Sequence, residues 1–139
     1  MARFFGDTDA ILAKAGQLLD FSQPVAIMLI SIMHAIEDAD DPHAIVARIM
    51  DALPSGSYLA ISHAGADLLD RQALDGVRDI VTQMVRLQPG FRDREQVLRF
   101  FDGLDLVEPG LVRVEEWRRD PAAEVAGRST LWCAVGRKP

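Results

Sequence analysis

Two short, continuous apolar runs stand out in the first half of the chain. The first covers residues 25–31, from Val25 to Ser31, and the second covers residues 58–62. Neither run alternates between apolar and polar positions, so both predict strands that are covered on both faces of a parallel sheet. An amphipathic stretch separates the two runs. The pattern therefore predicts a strand–helix–strand unit with a right-handed crossover.

Apolar residues at helical spacing predict four helices. Asp41 before Pro42 marks the start of the second helix, because Asp is a good N-cap and Pro suits the first helical position. Asp93 with Gln96 three residues later resembles a capping box at the start of the fourth helix. The predicted spans are residues 10–19, 42–53, 70–87 and 93–103.

The chain after residue 103 contains further predicted strands and no helical pattern. Residues 104–107 and 111–114 are short apolar segments divided by Pro109 and Gly110, and residues 129–135 form a final apolar segment. Because no helix separates the last two, we expect them to be antiparallel. The whole pattern predicts one α/β domain over residues 1–139, with a mostly parallel sheet, an antiparallel C-terminal hairpin and helices on both faces.

Composition narrows the classes of protein that fit. A chain of 139 residues can bury a core without disulfides, and its single cysteine, Cys133, suits a reducing cytoplasm. The net charge of -6, with scattered arginines, disfavours nucleic-acid binding, which needs a clustered basic face. The longest apolar run is shorter than the roughly 20 residues that span a bilayer. We therefore expect a soluble, cytoplasmic protein.

Several segments together resemble a known protein family. They resemble the bacterial S-adenosylmethionine-dependent methyltransferases long catalogued as a domain of unknown function. The resemblance covers nearly the whole chain, but it corresponds only to the C-terminal half of such an enzyme. It implies a class I methyltransferase, Rossmann-like sheet, with S-adenosylmethionine as the cofactor. The segments that carry it are FSQPVAIMLI, IMHAI, LPSGSYLAISH, FFDGLDLVEPGLV and the tail GRKP.

The resemblance also implies which parts are missing. In that family two strands and a glycine-rich turn precede the segments found here, whereas Gly16, Gly56 and Gly65 stand alone and no G-x-G pattern occurs. We therefore expect this chain to bind S-adenosylmethionine weakly or not at all by itself. The alternative is a non-catalytic remnant that acts as an oligomerisation or binding module.

The candidate cofactor-binding residues follow from the same resemblance. Residues 3–7 look like the remnant of the third strand, with Asp7 facing the adenine amino group, although Asp7 could equally be an N-cap. Ser31, Ile32 and His34 would lie at the carboxyl end of the first predicted strand, where ligands bind in open α/β sheets.

The catalytic residues are unknown, and two histidines are candidates. His34 and His63 both follow or end a predicted strand, and a neutral imidazole can accept a proton near pH 7. A histidine satisfied by backbone at the entry to a loop is the favoured interpretation of His34, because no carboxylate partner can be assigned to it. No metal site is expected, because the acidic run at residues 37–41 lacks the ligand spacing of a cation loop.

The resemblance finally predicts an unpaired strand edge. The strand from Val25 to Ser31 should pair with the family's first strand, which has no counterpart in this sequence. No lysine, proline or bulge blunts this edge. We therefore expect a homo-oligomer, a separately encoded N-terminal half or the rest of a longer protein to cover it. The methyl acceptor is unknown.

Overall fold

The computed structural model describes residues 7–85, 89–124 and 127–139. Short 3-10 turns at Met33–Ala35, Asp38–Asp40, Ala66–Leu68, Arg99–Phe101 and Val114–Glu116 connect or extend the main elements. The helices are α1 (Thr8–Ala15), α2 (Pro42–Asp51), α3 (Arg71–Val85) and α4 (Arg94–Leu98), and the strands are β1 (Ala26–Ile30), β2 (Tyr58–Ala64), β3 (Asp105–Leu106), β4 (Val112–Arg113) and β5 (Leu131–Arg137).

The strands form a single sheet in the order β1-β2-β5-β3, with β4 also paired to β5. β1 and β2 are parallel, with Ala26 opposite Tyr58, whereas β5 is antiparallel to β2, β3 and β4. Four strands therefore run in one direction and β5 runs in the other. The predicted fold class, a mostly parallel α/β sheet that ends in an antiparallel hairpin, is confirmed.

One face of the sheet carries the hydrophobic core. Leu29 lies opposite Ile61 and Ile61 lies opposite Ala134, so these three side chains share a face. All three are buried. Helix α2 and the turn Arg99–Phe101 pack on this face and complete the cluster with Val46, Met50, Phe100 and Phe101. The apolar face predicted for residues 42–53 therefore packs in the core.

The other face of the sheet is exposed at β1. Met28 is 69% exposed and Ile30 is 52% exposed, although both are large and apolar. Within the described residues β1 pairs only with β2, so it lies at an edge of the sheet. The apolar run at residues 25–31 predicted a strand covered on both faces, and here the structure differs. Whether another strand covers the second edge of β1 stays a prediction.

The predicted helix starts agree with the structure better than the predicted helix ends do. Asp93 Oδ1 accepts from the Gln96 backbone at 2.9 Å, and Gln96 Oε1 accepts from the Asp93 backbone at 3.0 Å, which confirms the capping box. Helix α1 ends at Ala15 rather than near residue 19, and Leu18 is 86% exposed. The predicted end of α3 at residue 87 lies outside the described residues.

The longest of the described helices is α3, with 15 residues. None of the helices in the described ranges is long and apolar enough to cross a membrane.

Candidate functional site

The carboxyl ends of β1 and β2 meet at one edge of the sheet because the two strands are parallel. Ser31 follows β1 and turns into the left-handed region, with a φ of 52°. Its backbone N–H donates to the Ser62 hydroxyl at 2.9 Å and to the Ser62 carbonyl at 3.1 Å. A non-glycine residue held in this conformation is uncommon and often marks a functional site. The Ser31 side chain is exposed at the strand end, where a ligand can reach it.

The residues after Ser31 differ in what they face. Ile32 is half-buried and packs against the core, and Met33 is completely buried. His34 is half-buried at the same strand end. Of the residues predicted to bind the cofactor, Ser31, Ile32 and His34 therefore lie together, with Ser31 the most exposed of the three.

His34 has one ring nitrogen in use within the protein. Its Nδ1 accepts a long, 3.4 Å hydrogen bond from the Ala64 backbone N–H. Burial, and then the positive charge of Arg92, lowers the pKa of His34, so the ring is neutral at pH 7. Because Nδ1 accepts, the single hydrogen of the neutral ring is on Nε2. Within residues 7–85, 89–124 and 127–139, Nε2 has no hydrogen-bond partner, and it is available as a donor.

His63, the second catalytic candidate, has both ring nitrogens engaged. Nδ1 lies 2.8 Å from the Ala64 carbonyl oxygen and Nε2 lies 3.0 Å from Arg92 Nη1. Arg92 can only donate, so Nε2 accepts and Nδ1 carries the hydrogen. Burial lowers the pKa of His63 to about 4. The ring centroids of His34 and His63 are 5.7 Å apart, but only His34 has a nitrogen to offer a ligand.

Arg92 holds the segment that carries His34. The Arg92 side chain is 1% exposed, and its Nη2 donates to Asp38 Oδ1 at 2.6 Å, while the Asp38 side chain is 76% exposed. The guanidinium also donates to three backbone carbonyl groups, those of Met33 at 3.1 Å, Gly90 at 2.9 Å and Ile36 at 3.0 Å. Arg92 thus ties the turn after β1 to β2 and to the segment before α4. The sequence does not predict this role of Arg92, because nothing around Arg92 in the sequence signals burial.

A cavity of about 590 Å³ lies beside these strand ends, between them and α3. Helix α3 contributes apolar side chains from its inner face, and the strand ends contribute His34 and small residues. The lining residues are His34, Ala35, Ala64, Gly65, Leu69, Leu74, Val77, Val81, Pro89, Phe91 and Thr130.

Asp7 lies at the start of α1. Its Oδ1 accepts from the Ala10 backbone at 2.8 Å, which is the N-cap interaction that the sequence offered as the alternative to adenine binding. Asp9, two residues on, forms a 2.7 Å ion pair with Arg48 and so links α1 to α2. Within the described residues no hydrogen bond or ion pair joins Asp7 to Ser31, Ile32 or His34. The rest of the predicted third-strand remnant, residues 3–6, lies outside the described residues.

A single antiparallel strand, β5, inserted between parallel strands is the arrangement of class I methyltransferases. The polar residues Ser31 and His34 lie at the carboxyl end of the parallel strand β1. The sequence profile of the S-adenosyl methyltransferase family matches residues 4–139, and the chain belongs to this family. S-adenosylmethionine is the cofactor of the family, as the resemblance implied.

Solved structures agree with this assignment. A DUF574 family protein from Streptomyces avermitilis is 36% identical, with a TM-score of 0.88, over 97% of this chain and 53% of its own. A candidate methyltransferase from Thermobifida fusca is 28% identical, with a TM-score of 0.83, over 99% of this chain and 53% of its own. An O-methyltransferase family 2 protein from Planctomyces limnophilus, 15% identical with a TM-score of 0.54 over 82% of this chain and 30% of its own, shares the fold.

The chain spans about half the length of the first two of these proteins. No match to a curated protein is found.

Proposed function

We propose that this chain is the C-terminal half of an S-adenosylmethionine-dependent methyltransferase and forms the acceptor side of its active site. The family match over residues 4–139 carries the proposal. The sequence contains no G-x-G pattern, which supports the proposal that a segment outside these 139 residues provides the glycine-rich turn.

The residues at the strand ends fit one wall of a cofactor site. Ser31 offers an exposed hydroxyl beside a left-handed backbone turn, at the edge of the sheet where ligands bind in open α/β folds. The cavity beside α3 does not fit the cofactor, because the described residues that line it include none with a charge to pair with the methionine end. The cofactor would therefore lie against Ser31 and the backbone of Ile32, next to the cavity rather than in it.

When bound, S-adenosylmethionine supplies an electrophilic methyl group, and the protein mainly has to position the acceptor. Arg92 fixes the turn after β1 through its bonds to Met33, Ile36 and Asp38. This holds the His34 ring at the border between the strand ends and the cavity. His34 and Ser31 would thus face the acceptor and the cofactor, respectively, from adjacent positions.

The exposed edge of β1 supports the proposal that a further segment pairs with this strand. Met28 and Ile30 present apolar side chains on the face that the described helices leave open, and β1 has a free hydrogen-bonding edge within the described sheet. We propose that the remaining half of the methyltransferase sheet covers this surface. In a preparation of the chain alone, a second copy would take its place.

Co-expression with the part of the Streptomyces avermitilis relative that this chain does not cover tests the proposal. Calorimetry with S-adenosylhomocysteine should show binding to the co-purified complex and to the full-length relative, but little or none to this chain alone. Ile30→Lys should prevent co-purification, whereas Ile80→Lys, at a similarly exposed apolar position on α3, should not. Micromolar binding by the chain alone, or a co-purified complex that does not bind, would overturn the proposal.

A further inference from the structure

The cavity between α3 and the strand ends has the dimensions of a small-molecule site. Its volume of about 590 Å³ lies within the roughly 300–1,000 Å³ of ligand pockets in proteins. Leu74, Val77 and Val81 of α3 form one wall, and Ala64 and Gly65 at the end of β2 form part of the opposite wall. The site is therefore built from a helix face and a strand end, both of which are regular elements.

The described part of the lining offers no charge to pair with a charged ligand. Two of the eleven described lining residues, His34 and Thr130, have polar side chains, and none of the eleven is an Asp, Glu, Lys or Arg. Three charged residues of α3, Arg71, Asp75 and Arg78, line an adjoining pocket that shares Leu69 and Leu74 with the cavity, and none of the three is among the described lining residues of the cavity itself. A ligand that carried a charge into the cavity would lose hydration without gaining a counterion.

His34 provides a directional contact in these apolar surroundings. Its Nδ1 is occupied by the Ala64 N–H, so Nε2 carries a hydrogen that it can donate. The Phe91 ring lies 6.2 Å from the His34 ring, centroid to centroid, and also lines the cavity. An oxygen on an otherwise apolar ring would meet the donor while the ring contacts the aliphatic wall.

We propose that this cavity binds an uncharged, ring-containing molecule whose oxygen accepts a hydrogen bond from His34 Nε2. Calling that molecule the methyl acceptor rests on the proposed function, whereas its binding does not. The role given to His34 is to orient the ligand, because Nε2 already bears the hydrogen and has no free lone pair with which to accept a proton, while the lone pair of Nδ1 accepts from Ala64.

Binding of 2-naphthol, naphthalene and 2-naphthoate to the full chain at pH 7.5 tests this assignment. Titrations followed by ligand fluorescence should show that 2-naphthol binds at least about ten-fold more tightly than 2-naphthoate, since none of the described lining residues carries a positive charge to pair with the carboxylate. His34→Phe retains a ring but removes the donor. It should weaken 2-naphthol binding about five-fold, the worth of one hydrogen bond, and leave naphthalene binding unchanged.

A matched pair of substitutions on α3 locates the site. Val81→Phe fills the cavity and should weaken 2-naphthol binding at least about ten-fold, whereas Ile80→Phe, at a position that is 57% exposed outside the cavity, should have no effect. Leu74→Phe gives the same readout if Val81→Phe does not fold, as judged by circular dichroism.

The proposal is overturned if 2-naphthol does not bind, if 2-naphthoate binds equally well, or if His34→Phe weakens naphthalene as much as 2-naphthol. Equal effects of Val81→Phe and Ile80→Phe would also overturn it. None of these titrations involves S-adenosylmethionine. Selective 2-naphthol binding by a chain whose co-purified complex fails to bind S-adenosylhomocysteine would thus support the cavity assignment and overturn only the proposed function.

Discussion

Arg92 and His63 are joined inside the protein by a 3.0 Å hydrogen bond from Arg92 Nη1 to His63 Nε2. His63 is fully buried and Arg92 is 1% exposed. The bond requires a neutral imidazole, because a protonated ring would point a hydrogen from Nε2 at the guanidinium. The protonation state of His63 is therefore coupled to the position of Arg92, and through Arg92 to the turn that carries His34.

The first prediction concerns stability against pH. Burial lowers the pKa of His63 from 6.5 to about 4, while the Ala64 carbonyl opposes the shift. Between these values the unfolded chain binds a proton that the folded chain does not, so the contribution of His63 is complete above pH 6.5 and is lost as the pH falls towards 4. The total is about 3 kcal/mol. Urea unfolding of the wild type and of His63→Gln from pH 4 to 7.5 measures it. Parallel profiles would contradict the prediction.

The second prediction separates the two partners of the Arg92–Asp38 ion pair. Arg92→Met should lower the free energy of unfolding by about 3–5 kcal/mol, because it leaves three backbone carbonyls and His63 without their donor. Asp38→Asn should cost less than about 1 kcal/mol, since that carboxylate is 76% exposed. Urea unfolding of both variants at pH 7.5 tests the contrast. Similar losses would show that the ion pair, and not the carbonyl bonds, carries the stabilisation.

The third prediction compares two glycines. A Cβ on Gly90 would lie 2.5 Å from the Ile36 carbonyl oxygen and 2.9 Å from Arg92 Nη2, whereas a Cβ on Gly76 in α3 meets nothing within 4 Å. Gly90→Ala should therefore destabilise the protein by about 1–3 kcal/mol. Gly76→Ala should stabilise it by about 0.5–1 kcal/mol, because alanine favours the helix. Thermal unfolding of the two variants should move in opposite directions, and a shift of the same sign in both would refute this account.

Local chemistry explains which parts of the fold were predictable. The capping box at Asp93 and Gln96 and the start of α2 at Pro42 depend on residues within four positions of each other, and both are confirmed. The position of Ser31 and His34 at a strand end follows from the direction of a parallel pair. These features need no knowledge of distant contacts.

Contacts between distant segments decide the features that the sequence did not predict. The insertion of β5 between β2 and β3 is decided by contacts between segments far apart in the sequence. The burial of Arg92 depends on carbonyls 56 and 59 residues away, at Ile36 and Met33, and no local pattern encodes them. The cavity likewise depends on how α3 approaches the strand ends, so the candidate residue His34 was predictable and its surroundings were not.

The last prediction concerns the open face of β1. Ile30 is 52% exposed beside a strand edge that is unpaired in the described sheet, and Ile80 is 57% exposed on α3. If β1 recruits a second copy, the purified chain should be a dimer or larger at micromolar concentration. Ile30→Lys should then shift it towards monomer, because a lysine on an edge strand disfavours pairing, whereas Ile80→Lys should not.

Light scattering coupled to gel filtration gives the mass of each species. A wild-type monomer would exclude self-association through β1. Equal dissociation by both lysine variants would mean that general surface apolarity, rather than the β1 edge, holds the copies together. Dissociation by Ile30→Lys alone would identify β1 as the contact surface, which is the same surface that we propose a further half of a methyltransferase sheet to cover.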